Sequence, residues 1–462
     1  MKKYDAIIIG AGQAGVPLAK KLAQAGWKTA LIERELVGGT CINYGCTPTK
    51  TMVASARMAY MAGRSKEYGI PVGSYKVDMP AIIKRKDKVI THARVGNEQA
   101  IEATKNLDLI YGTASFVDKT TVSVALNAGG KKELSATHIF INTGGRTAIP
   151  GIDGLNDIDY LTSTSILDLK EVPKHLLIVG GSYIALEFGQ MFRRFGSEVT
   201  ILEHAPRFLP KEDEDIAACM QQIIHEDGIA LHVNASPLNI AKKGKQIDVT
   251  VSINKRKRTI SCSHILIAAG RIPNTGDLQL ANADIKTDDR GYIQADKKLQ
   301  TNVKGIYALG DVKGGPAFTH ISYNDYVIVT KNLLEKQNAT TTNRAVPYCM
   351  FTDPELGRVG MTETEAKEKG YQILVATLPM KHVARAVETN DTRGMMKAIV
   401  DTKSKKILGV AILGAQGGEL MSVLQMAMMG NIKYDELRNM IFAHPTFSES
   451  INNLFMSIDK MP

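Results

Sequence analysis

Ala6-Ile7-Ile8-Ile9-Gly10-Ala11-Gly12-Gln13-Ala14-Gly15 is the stretch that decides the fold of this chain. The apolar run leads into a Gly-x-Gly-x-x-Gly pattern, a helical stretch reaches Ala25, and a second apolar run, Thr29–Ile32, ends at Glu33. Each part of a dinucleotide-binding βαβ unit is therefore present. Gly10 makes the turn, Gly12 lets a pyrophosphate approach the backbone, and Gly15 allows close helix–strand packing. Glu33 is placed to accept hydrogen bonds from ribose hydroxyls.

The unit recurs. Leu176–Val179, Gly180-Gly181-Ser182-Tyr183-Ile184-Ala185, a helix to about Phe195 and Val199–Leu202 ending at Glu203 repeat it. The offset is 170 residues from Gly10 to Gly180, from Gly15 to Ala185 and from Glu33 to Glu203, with Ser182 standing for the middle glycine. Each unit has a similar closing strand, His138–Gly144 in one and His264–Gly270 in the other. Two units in register imply two bound dinucleotides. Further on, Thr301–Leu309 places a short apolar strand before Gly310-Asp311, an acid positioned to meet a cofactor's hydroxyls.

Shortly after the first unit comes Gly38-Gly39-Thr40-Cys41-Ile42-Asn43-Tyr44-Gly45-Cys46-Thr47-Pro48-Thr49-Lys50. In a regular helix a five-residue step spans about 7.5 Å along the axis, beyond the roughly 6.8 Å that a disulfide tolerates. Cys41 and Cys46 can bridge only if the backbone distorts, which Asn43 and Gly45 permit. A strained bridge is easily reduced, as a working redox pair requires. Two other readings stand beside it at this point: an inert core pair, or half of a zinc site. Zinc is disfavoured because Cys219, Cys262 and Cys349 are scattered singly and form no second ligand pair.

At 462 residues the chain suggests about three domains. Its 44% hydrophobic and 23% charged composition is that of an ordinary globular protein. No apolar run approaches a membrane span, and the first residues lead directly into a strand, so a cytoplasmic location is expected. Five cysteines do not make a secreted disulfide framework. The net charge of +10 raises the question of nucleic acid, but the densest basic run, Lys255–Arg258, lies between the alternating segments Ile247–Ile253 and Thr259–His264 and reads as a solvated hairpin turn. No nucleic-acid or membrane partner is expected.

Together these residues resemble the flavoprotein disulfide reductases, the family of dihydrolipoamide dehydrogenase, glutathione reductase and mercuric reductase. The resemblance implies an α/β fold: two Rossmann-like domains, one for FAD (1–149 with 272–343) and one for NAD(P) (150–271), followed by an α+β dimerisation domain (344–462). It implies FAD on Gly10, Gly12, Gly15, Glu33, Gly39, Thr40, Lys50, Thr143, Gly144, Gly310 and Asp311. The nicotinamide nucleotide is assigned to Gly180, Ser182, Tyr183, Ile184, Glu203 and Gly270. Cys41 and Cys46 become the redox pair, with Cys46 against the flavin as a thiolate and Cys41 toward substrate. Lys50 pairs with Glu187 near the flavin's reactive nitrogen. In His444-Pro445-Thr446-Phe447-Ser448-Glu449, the histidine serves the partner subunit's disulfide across a homodimer, and Glu449 orients it. Such a base has a clear task, since a free thiol is mostly protonated at neutral pH. Glu203 favours NADH over NADPH, while His204 and Arg207 keep NADPH as the alternative.

The electron acceptor has three readings. The Ala-His-Lys-Ala run of dihydrolipoamide dehydrogenases is absent after Gly310-Asp311, which weighs against lipoamide. The C-terminal cysteine pair of mercuric reductases is absent from Met456–Pro462, which weighs against a dedicated mercury enzyme. Phe318–Ser322 with Asp325-Tyr326, Asn390–Gly394 and His444–Phe455 resemble the bacterial reactive-chlorine-resistance, copper(II)-reducing branch. Soft ions such as Cu or Hg suit a thiolate pair at Cys41 and Cys46, and no structural metal is expected. A non-catalytic reading, a structural or redox-sensing subunit, is opposed by the complete set of Glu33, Glu203, Cys41, Cys46, Lys50 and His444. The methionines Met421, Met426, Met428 and Met429 read as core or dimer interface rather than copper capture.

Overall fold

A computed structural model describes residues 1–460, and Met461 and Pro462 of the cysteine-free tail lie outside it. The first unit runs β1 (Lys2–Ile9), α1 (Gly15–Gln24), β2 (Thr29–Glu33), α2 (Gly39–Asn43), α3 (Cys46–Gly63), α4 (Met79–Glu102), β3 (Leu107–Phe116), β4 (Thr121–Leu126) and β5 (Lys131–Ile141). A short strand, β6 (Gly145–Thr147), leads out of it. The second unit is β7 (His175–Val179), α5 (Tyr183–Phe195), β8 (Glu198–Leu202), α6 (Glu214–Glu226), β9 (Ala230–His232), β10 (Ala235–Lys243), β11 (Gln246–Ile253), β12 (Arg256–Cys262) and β13 (His264–Ile267). The chain returns through β14 (Arg271–Pro273), β15 (Ile306–Ala308) and α7 (Thr319–Leu334). It ends in a third body with β16 (Tyr348–Met350), β17 (Glu355–Gly360), β18 (Ile373–Pro379), β19 (Met395–Asp401) and β20 (Ile407–Gly414).

In the first sheet β1 lies between β2 and β5 in parallel, with β3 beyond β2 and β15 beyond β5. Strand β4 runs antiparallel between the far ends of β3 and β5. In the second, β13, β7, β8 and β9 are parallel in that order. Ile7, Ile8, Leu177 and Ile178 are fully buried because parallel strands are covered on both faces, which is why these segments read as unbroken apolar runs. In both sheets the fingerprint glycines follow the central strand, where the connections diverge to opposite sides and leave a crevice at the strands' carboxyl ends.

The two passages between these bodies, β6 and β14, pair with each other in a two-stranded ribbon. The third body is an antiparallel sheet ordered β16-β17-β20-β19-β18. The helix Gly417–Met429 lies on it with Met421 buried, while Met426 and Met429 are 66% and 71% exposed. No helix among the described residues is long and apolar enough to cross a membrane.

The hairpin expectation needs correction. Only Asn254 and Lys255 form the turn, both at positive φ (48° and 65°) as a two-residue connection requires, and Arg256–Arg258 belong to β12. Their side chains stay exposed because β12 is the edge of the three-stranded β10-β11-β12 sheet. The alternation assigned to Thr259–His264 is split: β12 ends at Cys262, and His264 starts β13 in the parallel sheet.

Candidate active site

The backbone break between the cysteines is built by two helices. Cys41 lies in α2, Tyr44 and Gly45 leave the helical path, and Cys46 begins α3. A Cβ on Gly45 would stand 2.9 Å from the Thr40 carbonyl oxygen, so only glycine lets the two segments come this close. Cys41 is partly buried and Cys46 is exposed to the cavity described below. Cys46 sits at the positive end of an 18-residue helix, which favours a thiolate.

The electrostatics separate the two sulfurs. A hydrogen bond from the Cys41 thiol, together with contacts to Thr319 and Lys50, lowers the Cys46 pKa to about 6. The same pairing with Cys46, followed by burial, pushes the Cys41 thiol up. The pair thus carries one thiolate, on Cys46. Because a thiol is neutral when protonated, this thiolate is populated above about pH 6 and lost as the pH falls through that value. Ultraviolet thiolate absorbance of the reduced protein should show a single step there, and Cys46→Ser should remove it. A first step only near the free-thiol value of about 8.5 would contradict this assignment.

One cavity of about 1090 Å³ joins the redox pair to the first fingerprint. Gly10, Gly12, Glu33, Gly39, Thr40, Thr143, Gly144 and Asp311 line it, as do Cys41, Cys46, Lys50, Glu187, Tyr183 and Ile184. Gly10 adopts φ 103°, and a Cβ there would meet the Asn142 carbonyl oxygen at 2.4 Å. Glu33 is buried and accepts hydrogen bonds from the Ala11 and Glu35 amides, both at 2.8 Å, and burial pushes its carboxyl up. The continuous channel from an acid, past bare glycine backbone, to a thiolate fits an extended dinucleotide with a redox ring. Burial also raises the Asp311 carboxyl, and Arg271 lies 3.8 Å from it.

The second unit repeats this bonding 170 residues on: Glu203 accepts from the Gly181 and Ala205 amides, both at 2.7 Å. Gly180, Ser182, Glu203 and Gly270 lie outside the large cavity, as do Gly15 and Gly310. Tyr183, which opens α5, is at its wall. Burial pushes the Tyr183 hydroxyl up to about 12. Lys50 and Glu187 form an ion pair, with Nζ 2.7 and 3.0 Å from the two carboxylate oxygens.

His444 and Glu449 are also paired, Nδ1 lying 2.9 Å from Oε2, yet neither lines the cavity of its own chain. The His444 side chain is 69% exposed. Among the described residues no group of three His, Cys, Asp or Glu side chains could hold a metal ion.

Three participants were not singled out from sequence. Thr319 Oγ1 lies 3.5 Å from Cys46 Sγ across 273 positions. Phe351 places its ring 4.8 Å from Lys50 Nζ and donates its amide to Glu187 at 2.9 Å. Cys349, read as one of three isolated cysteines, lines the same cavity as the redox pair. The Phe318–Ser322 stretch marked one of these regions, but nothing local to it signals a partner hundreds of residues away.

Comparison with known proteins agrees with this geometry. Residues 4–325 match the family described as pyridine nucleotide-disulphide oxidoreductase, and residues 346–455 match its dimerisation domain. The chain is 42% identical over 459 residues to the probable pyridine nucleotide-disulfide oxidoreductase RclA of Escherichia coli, covering 98% of this chain and 99% of that one. It is 34% identical to a mercuric reductase of Lysinibacillus sphaericus, covering 99% and 83%. The solved Cu(II) complex of the HOCl-induced flavoprotein disulfide reductase RclA from E. coli superimposes with a TM-score of 0.91 at 41% identity, covering 99% of both chains. The chain belongs to the pyridine nucleotide-disulphide oxidoreductase family and is an NAD(P)H-dependent flavoprotein oxidoreductase of the RclA-like and mercuric reductase-like kind.

Proposed function

We propose that this oxidoreductase takes a hydride from NADH, moves the electrons through FAD into the Cys41–Cys46 pair, and delivers them to a soft metal ion, Cu(II) or Hg(II). The observation that carries the reading is Cys46: a thiol of lowered pKa at a helix N-terminus, inside the cavity that runs back to Gly12 and Glu33. The segments 1–149 and 272–343 would hold FAD, 150–271 the nicotinamide nucleotide, and 344–462 the partner subunit. A bound FAD would supply hydride acceptance from nicotinamide and two-electron transfer to sulfur. Lys50, fixed by Glu187, supplies positive charge where the ring would gain negative charge.

Two electrons and one proton convert the Cys41–Cys46 bridge to a thiol on Cys41 and a thiolate on Cys46. On re-oxidation the sulfur–sulfur bond re-forms and two electrons leave together to one Hg(II), or singly to two Cu(II). The Cys41 proton passes to His444 of the partner subunit. Hg(II) is soft, and so is the Cu(I) that one-electron reduction of Cu(II) yields, so a thiolate pair suits both. The copper-complexed relative supports copper, and the mercuric reductases support mercury.

For the nucleotide, Glu203 supports NADH, because its carboxylate would repel a 2′-phosphate. The nearby basic side chains are otherwise engaged. Arg207 donates to the Pro210 and Glu212 carbonyls, and His204 Nδ1 lies 2.8 Å from Ser236 Oγ. A steady-state comparison of Cu²⁺, Hg²⁺, lipoamide and glutathione disulfide, each with NADH and NADPH, tests the whole reading. The expected outcome is metal-ion turnover, with kcat/KM for NADH at least about tenfold above NADPH, the scale of one hydrogen bond to a charged group. Fast turnover of lipoamide alone, or a strong NADPH preference, would overturn it.

A further inference from the structure

Glu187, Gln190 and Arg194 stand three and four positions apart on α5 and so share one stripe of that helix. All three reach the same short stretch of the third body, Phe351–Asp353, just beyond β16. The Phe351 amide donates to Glu187 Oε1 at 2.9 Å, and the Asp353 amide to Gln190 Oε1 at 2.7 Å. The Asp353 carbonyl accepts from Gln190 Nε2 at 2.9 Å and from Arg393 Nη2 at 2.8 Å. The Asp353 carboxylate is closed by Arg194 and by Arg57, which lies on the same helix as Cys46 and Lys50. Gln190, Glu187 and Asp353 are buried. Side chains of a helix thus take the place of a neighbouring strand for this segment, and Gln190 binds both backbone groups of one residue.

The consequence lies two residues away. Phe351 holds its ring beneath Lys50, and its amide holds Glu187, which holds Lys50 again. We propose that Gln190 is a positioning residue for reduction of the flavin: by docking Phe351–Asp353 on α5 it fixes the ring and carboxylate that aim Lys50 into the cavity. This inference rests on the proposed function, in which Lys50 sits beside the flavin. A shift of about 1 Å in such a group can cost on the order of 10²-fold in rate, whereas Gln190 itself touches neither the cysteines nor the cavity.

The test uses the FAD-loaded dimer. In Gln190→Leu, backbone amide hydrogen exchange of residues 348–356 should accelerate by roughly tenfold, the scale of one lost buried hydrogen bond. Single-turnover flavin reduction by NADH should slow by about tenfold or more at an unchanged half-saturating NADH concentration. Re-oxidation of the two-electron-reduced protein by Cu²⁺ should stay within about twofold, since the cysteine pair is untouched. Gln190→Asn, which keeps the amide on a shorter arm, should fall between wild type and Gln190→Leu and serves if the leucine variant does not fold. Val359→Ala, buried in β17 away from the site, should lower the melting temperature without slowing flavin reduction. Wild-type flavin reduction in Gln190→Leu, unchanged exchange at 348–356, or slowing by Val359→Ala in proportion to its lost stability would overturn the inference. A wild-type protein whose flavin NADH does not reduce would overturn the proposed function first, and the inference with it.

Discussion

Cys46→Ser is expected to lower NADH-driven metal-ion reduction by at least roughly 10³-fold while FAD stays bound, because residues acting as a unit lose nearly everything when one is removed. Serine preserves the shape at the head of α3 and leaves Gly10, Gly12 and Glu33 in place, so the proposed FAD cradle is intact. What it removes is the lowered-pKa sulfur, without which Cys41 has no partner with which to form or open a bridge. Flavin absorbance checks retention of the cofactor, and steady-state NADH oxidation with Cu²⁺ checks turnover. Reduction of a one-electron acceptor that takes electrons directly from flavin should survive. Full Cu²⁺ activity in Cys46→Ser would mean that electrons bypass the thiols.

His444→Ala should cost about 10²- to 10⁴-fold in acceptor turnover, the usual worth of a positioned acid–base group. Nδ1 is tied to Glu449, which leaves Nε2 free to take or give the thiol proton. The pair lies apart from the cavity of its own chain, so the proposed role requires the partner subunit. That makes a sharp complementation test. Cys46→Ser and His444→Ala homodimers should both be nearly inactive, but in a mixed dimer one site carries both defects and the other carries neither. Random mixing makes half the dimers mixed, so about a quarter of wild-type activity should return. No recovery in purified mixed dimers would place His444 outside the partner's site.

Much of this architecture is legible in short windows. Gly10, Gly12 and Glu33 are neighbours along one βαβ unit, and the register of Gly180, Ser182 and Glu203 repeats it; even the Glu33 bonds to Ala11 and Glu35 recur as Glu203 to Gly181 and Ala205. The Cys41 to Lys50 spacing marks a redox motif, but the ion pair of Lys50 with Glu187 spans 137 positions and was readable only through a family resemblance. Residues 255–258 show the opposite failure. Their charge pointed to a turn, whereas the exposed edge of β12 accommodates Arg256–Arg258 equally well.

By itself the sequence determined the two nucleotide units and the spaced cysteine pair, since each depends on backbone geometry within one short stretch of chain, whereas the pairing of His444 with Glu449 was readable only through the family resemblance. Only the tertiary structure decided that Thr319, Cys349 and Phe351 share the cavity of Cys46, and that Gln190 docks the segment beneath Lys50. Those outcomes depend on electric fields, burial and hydrogen bonds between groups far apart in the chain, and such distances exist only once the three bodies have packed together.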